Sequence, residues 1–179
     1  MTKNQTLTLN PVTKYKSVTQ FWIEDFEGVN ISLTDDPNTS IAVCETVNEN
    51  LQPFNGSFYG KISLNSIDSL WVAYTAETEQ LFIAKGKEAY LEIDYHNTNS
   101  LTTGLIYASP TGVTNNINIR LNAQSPESVV WKKIYIELKE LITASPNSSN
   151  FQQSFSCYLD PGQISTEILI DNIKVVYFN

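Results

Sequence analysis

Thr166-Glu-Ile-Leu-Ile-Asp-Asn-Ile-Lys-Val-Val-Tyr-Phe178 is the longest β-like run in the chain, and the fold turns on how it is read. Ile168 and Ile170 share one parity, whereas Ile173, Val175 and Tyr177 occupy the other. Side chains alternate between the faces of a strand, so this change of phase needs either a bulge or burial on both faces. It falls at Asp171-Asn172. A carboxylate at such a kink either bonds nearby backbone, as in an Asx turn, or ligates a cation. Near the other end, Phe21-Trp-Ile-Glu-Asp-Phe-Glu-Gly28 reads as a second strand that ends in carboxylates and a glycine. If the first and last strands meet, Glu27 and Asp171 share one site.

Between these two stretches the chain reads as short strands separated by turns. After the strand at 17–27, further strands are expected at 41–47, 61–65, 70–74, 80–84, 90–95, 104–108, 117–122, 131–138 and 151–159, with a helical turn at 140–143. The segments 30–40 and 48–60 read as polar connections, and Asp160-Pro-Gly162 is strong turn chemistry. Many short strands with turn signals between them mean a β-sandwich or barrel. The reading is all-β: residues 1–16 as an extended N-terminal arm, then one two-sheet antiparallel sandwich domain over 17–179.

Bulk properties narrow the partners. At 179 residues the chain is long enough for one sizeable core, and 41% hydrophobic content supplies it. A net charge of −8 repels phosphate backbones, which argues against nucleic acid, and the absence of a basic patch argues against anionic membrane surfaces. No apolar run is long enough to span a bilayer. Charged residues make up only 17%, with Asn, Ser and Thr supplying the polar surface, a style common in exported all-β proteins. The first ten residues lack a signal-type apolar core, so either the protein is cytoplasmic, or it is extracellular or on the outer-membrane surface with its signal or lipoprotein anchor outside these residues. Cys44 and Cys157 read either as a disulfide, which requires export, or as two free buried thiols. No Cys/His cluster has zinc spacing.

Asp25-Phe-Glu-Gly28, Trp131-Lys-Lys-Ile-Tyr-Ile136 and Ile170-Asp-Asn-Ile-Lys-Val-Val176 resemble the galactose-binding-like jelly rolls. More narrowly, they resemble the carbohydrate-binding-module-like domains of Bacteroidetes surface lipoproteins, from about Phe21 onward. The resemblance implies a two-sheet jelly roll of an exported protein, a glycan site on a sheet face or loop rim, and a structural Ca²⁺ near the joined chain ends. On the matching positions, Glu27 and Asp171 would supply its carboxylates. Calcium takes carboxylates and backbone carbonyls in an irregular oxygen shell. No sugar-binding motif matches residue by residue, so the ligand is inherited only as a class.

The residues supply a candidate face of their own. Tyr90, Glu92 and Asp94, then Asn118 and Arg120, then Trp131 and Tyr135 lie opposite the apolar parity of their stretches. Sugars are bound by an aromatic plane together with amide, carboxylate and guanidinium groups, and this set offers both ingredients. The same pattern also describes an ordinary exposed sheet face with charge pairs such as Glu92 with Arg120 or Lys133. Trp131 and Trp71 read equally well as core. A protein-interaction domain of a surface lipoprotein is the alternative, distinguished by a broad apolar patch. Glu92-Ile-Asp94 hints at a retaining glycoside hydrolase, whose strand carries a third acid; here His96 and Asn97 stand in those places, so the acid/base is missing. His96, the only histidine, reads as a loop surface residue.

Overall fold

The structure is a computed structural model and describes residues 18–28, 33–35, 41–45, 52–75, 86–108, 114–125, 130–143 and 151–178. The expected arm at 1–16 and the expected strand at 80–84 lie outside these residues. The strands are β1 (Val18–Glu24), β2 (Leu33–Asp35), β3 (Ala42–Glu45), β4 (Phe58–Asn65), β5 (Leu70–Thr75), β6 (Glu88–Asn97), β7 (Leu101–Ala108), β8 (Thr114–Leu121), β9 (Lys132–Glu137), β10 (Phe151–Tyr158) and β11 (Ser165–Phe178). One short helix, α1 (Lys139–Thr143), occupies the expected helical turn.

These strands form the expected two-sheet antiparallel sandwich. Sheet A runs β3-β4-β11-β6-β9, with β1 also on β11. Sheet B runs β2-β5-β10-β7-β8. One parity of each strand fills the space between the sheets: Ile62, Leu91, Ile93 and Ile170 from sheet A, and Trp71 and Phe155 from sheet B. Trp71 stacks on Phe155 with ring centroids 6.1 Å apart, so Trp71 is core.

Several elements differ from the sequence reading: β7 and β8 each begin three residues earlier than expected, and β2 and β4 differ as well. β2 falls in a segment read as loop, where three residues pair with β5. β4 begins at Phe58 rather than at 61. Gly60, read as the end of the polar connection 48–60, lies inside the strand and is a clearance. A Cβ on Gly60 would lie 2.5 Å from the Phe26 ring and 2.6 Å from Ile41. Phe26, almost fully buried, uses that space.

β11 is central because it is long enough to serve three strands. β6 lies along one edge from Ile168 to Phe178. The other edge is shared, with β4 on residues Ser165 to Ile170 and β1 on Ile173 to Phe178. The phase shift lies at that junction: the register with β6 slips between Asp171 and Lys174, and Asn172 takes a left-handed φ of 49°. Asn tolerates that region better than most residues, so the bulge has a residue suited to it.

Cys157 is a buried free thiol, facing Trp71 and Leu101 across its neighbouring strands, and burial pushes its pKa up to about 12. That favours the free-thiol alternative over a Cys44–Cys157 disulfide; the Cys44 side chain is outside the described set.

Candidate functional site

The outer face of sheet A collects part of the expected site. Glu92 stands opposite Tyr135 on β9 and Lys174 on β11, and Asp94 stands opposite Lys133 and Asp171. Lys133 Nζ donates to Glu92 at 2.5 Å and lies 3.3 Å from Asp94 Oδ2, while Lys174 Nζ is 3.0 Å from Glu92. Burial pushes the Glu92 carboxyl up, but the two lysines together outweigh it and hold it below the usual carboxylate range. Burial wins at Asp94, which is 0% exposed and held above that range. The expected cross-strand charge pair is therefore Glu92 with Lys133, not Arg120.

The segment 52–57 lies over this cluster. Trp131 Nε1 donates to the Gln52 carbonyl at 2.8 Å, and the Trp131 ring meets Phe54 and Tyr59 edge-on. Lys133 Nζ sits 5.1 Å from the centre of the Phe54 ring. Trp131, expected as a sugar platform, is half-buried and anchors this strap, because its indole N–H needs a partner and finds a backbone carbonyl. Glu92 and Asp94 are likewise buried and paired with lysines rather than presented to a ligand, although neither Asp94 oxygen accepts a hydrogen bond among the described residues. His96 is a buried strand residue, not a loop residue. Beyond the strap, Tyr90, Tyr135, Glu88 and Phe178 line an open, mostly aromatic groove of about 470 Å³.

Glu27 and Asp171 both accept backbone N–H groups from the segment 54–58, each from different residues of it. Asp171 Oδ2 accepts the N–H groups of Phe54 at 3.0 Å and Asn55 at 3.2 Å, and Oδ1 accepts that of Asn172 at 2.7 Å. Glu27 Oε1 accepts the N–H groups of Ser57 at 2.8 Å and Phe58 at 2.9 Å. Asp171 is 0% exposed, and burial, with the nearby Asp94 charge adding to it, pushes its pKa up to about 7 against those three donors. Among the described residues no group of three or more His, Cys, Asp or Glu side chains is placed to hold a metal ion.

Asn118 and Arg120 lie elsewhere: they are on β8, on the outer face of sheet B. The sequence shows their parity but not which sheet their strand joins. Two cross-strand rows organise that face. Tyr74, Ser154, Gly104 and Asn118 form one; Val72, Ser156, Thr102 and Arg120 form the next. Small side chains fill the two middle strands and larger ones stand at the flanks. The Asn118 amide lies over Gly104, where a Cβ would be 2.7 Å from Asn118 Oδ1 and 1.9 Å from the Ile117 carbonyl oxygen.

At the end of these rows, Tyr158 is 65% exposed beside a hollow of about 220 Å³ whose polar lining includes Ser100, Thr102, Arg120 and Asp160. Fully buried Asn99 holds this corner, donating to the Tyr158 carbonyl at 2.5 Å and accepting the Asp160 N–H at 2.7 Å. Asp160 in turn accepts the Ser100 N–H at 3.3 Å. Tyr74, Tyr158 and Asp160 were absent from the sequence-derived set. Each stands next to a strongly apolar run, and only the observed pairing shows which of them face outward.

No protein-family profile matches the chain, and no curated protein does. Solved structures do. A xylan-binding CBM22-1 domain from Paenibacillus barcinonensis Xyn10C superposes with a TM-score of 0.60 at 11% identity, over 94% of this chain and 99% of that one. A family 30 carbohydrate-binding module gives 0.61 at 13%, over 88% and 98%. The C-terminal family 22 carbohydrate-binding module of Clostridium thermocellum Xyn10B gives 0.58 at 12%, over 87% and 92%. At such identities the likeness is one of fold: the chain is a two-sheet β-sandwich of the kind found in carbohydrate-binding modules, as its jelly-roll resemblance implies.

Proposed function

We propose that the protein is a non-catalytic glycan-binding domain and that its ligand lies across the outer face of sheet B. The observation that carries the reading is the pair of hydroxyl- and amide-bearing rows, flanked by exposed Tyr74 and Tyr158. A tyrosine ring offers the CH face of a sugar a flat surface at low entropic cost, and neighbouring Ser, Thr, Asn and Arg groups meet its hydroxyls. The fold it shares with carbohydrate-binding modules agrees, as does the burial of Glu92 and Asp94 against lysines, which leaves neither placed as a free acid or base. The same reading puts the protein outside the cell or on an outer-membrane surface. Among the described residues no helix is long and apolar enough to cross a membrane.

The test is a glycan array followed by affinity electrophoresis on the hits. Tyr158→Ala and Tyr74→Ala should each cut retention at least tenfold with melting unchanged. A wild-type protein that retains no glycan on the array ends the reading. A protein partner is the second reading, favoured by the aromatic groove at Tyr90, Tyr135 and Phe178, where Tyr135 is 55% exposed. Structural calcium is a further part of the proposal. Convergence of Glu27 and Asp171 on one strap supports it, while the N–H donors facing both carboxylates weigh against a full oxygen shell. Added calcium should raise the melting temperature of wild type and of an Asp68→Ala control but not of Asp171→Ala; an unmoved wild type disposes of the ion.

A further inference from the structure

Arg120 is the one charged residue at the outward strand positions of sheet B among the described residues. Its guanidinium is largely unspent. Nη2 donates to Ser100 Oγ at 2.7 Å and lies 3.9 Å from Asp160 Oδ1, and no other partner engages it among the described residues. The side chain is 65% exposed, yet its base is fixed by the β7–β8 ladder. A guanidinium has five N–H donors in a planar fork that matches a carboxylate. Beside it stand exposed Tyr158 and half-buried Thr102 and Ser100, around a hollow of about 220 Å³. That volume is below the roughly 300–1,000 Å³ of whole ligand sites, so the hollow suits one unit of a longer ligand rather than a complete one.

We propose that this hollow is a subsite for a uronic acid, its carboxylate received by Arg120 and its ring by Tyr158, on a glycan whose other units are neutral. The inference rests on the glycan-binding reading and names the ligand class within it. The charge balance selects against denser polyanions. The rest of the face is neutral, the protein carries a net charge of −8, and Asp160 stands close to the guanidinium. One carboxylate gains a fork and loses little; a run of sulfates or uronates meets the repulsion of the whole molecule. Sulfate could satisfy the same fork, so it is the competing source of the anion.

The experiment is calorimetric titration of the full chain with matched oligosaccharides: neutral xylo-oligosaccharides, the same chains bearing one glucuronate, the same chains bearing one sulfate, and neutral galacto-oligosaccharides beside galacto-oligosaccharides bearing one galacturonate. On at least one backbone the glucuronate- or galacturonate-bearing chain should bind roughly tenfold tighter than its neutral counterpart, the scale of one charge-assisted pair at a partly exposed site. The preference should shrink in 1 M salt. Arg120→Gln should bring the ratio of uronate to neutral affinity to about one. Asp160→Asn keeps an acceptor for Ser100 and removes the competing charge, so it should raise the ratio. Equal affinity for neutral and uronate chains overturns the inference while leaving glycan binding intact, and so does a preference for sulfate. No binding to any oligosaccharide that the array also fails to retain overturns both.

Discussion

The two outer faces of the sandwich carry similar polar patterns and use them in opposite ways. On sheet A, Lys133 and Lys174 pair with Glu92, Lys133 also forms an ion pair with Asp94, and the strap at 52–57 covers them. On sheet B the polar side chains on the outer face are hydroxyls, amides and one guanidinium, set among Leu70, Val72 and Ile106, and the fixed contacts that shape the corner come from buried Asn99 behind them. A polar residue opposite the apolar parity is thus a residue on the outer face, and nothing more. Whether it is available depends on whether its neighbours complete its bonds. Opposite charges on adjacent strands hold each other in ion pairs; hydroxyls and amides on adjacent strands leave donors and acceptors to spare.

The largest expected effect tests whether sheet A's face is structural. Asp171→Ala removes the acceptor of three backbone N–H groups. An orphaned buried donor costs about 1–3 kcal/mol, so the loss, measured by urea unfolding at pH 5, should be about 3 kcal/mol or more. If stability holds while glycan binding fails, the two faces have been assigned the wrong way round.

Next in size is a pH dependence confined to the same face. Unfolded Asp titrates near ~3.9, and Asp171 in the folded protein is pushed up to about 7. The native state therefore holds this proton more tightly. Its contribution is fully present below about pH 4 and is lost as pH rises through about 7. Between pH 5 and 7 wild type should lose on the order of 2 kcal/mol relative to Asp171→Asn, which has no proton to lose. Identical slopes for the two proteins would mean that the carboxylate is already ionised across that range, as a bound cation would make it.

The smallest stability effect belongs to sheet B. Tyr158→Ala removes a side chain that is 65% exposed, so its unfolding free energy should stay within about 0.5 kcal/mol of wild type. A loss of several times that value would make Tyr158 a packing residue and sharpen the contrast against the proposed site. Its backbone, held by Asn99, is unchanged by the substitution.

Much of this was legible residue by residue. The phase change at Asp171-Asn172 called for a bulge or burial on both faces, and β11 has both; the acids after the first strand pointed to Asp171 only if the chain ends meet, and the alternation in 90–95 showed both faces of β6. These are local matters: backbone dihedrals impose a period of two, so parity can be read wherever apolar residues keep it. The tertiary structure decided the rest. It put Arg120 and Tyr90 on different sheets, moved Gly60 from a connection into a strand where it makes room for Phe26, made Trp131 the anchor of a strap, and gathered Tyr74, Tyr158 and Asp160 on Arg120's side of the sandwich. Each of these depends on which strands pair, and pairing joins residues as far apart as Ser156 and Thr102, or Phe54 and Asp171. Alternation within one strand carries no record of its neighbour, because the partner is selected by the burial and hydrogen bonding of the whole chain at once.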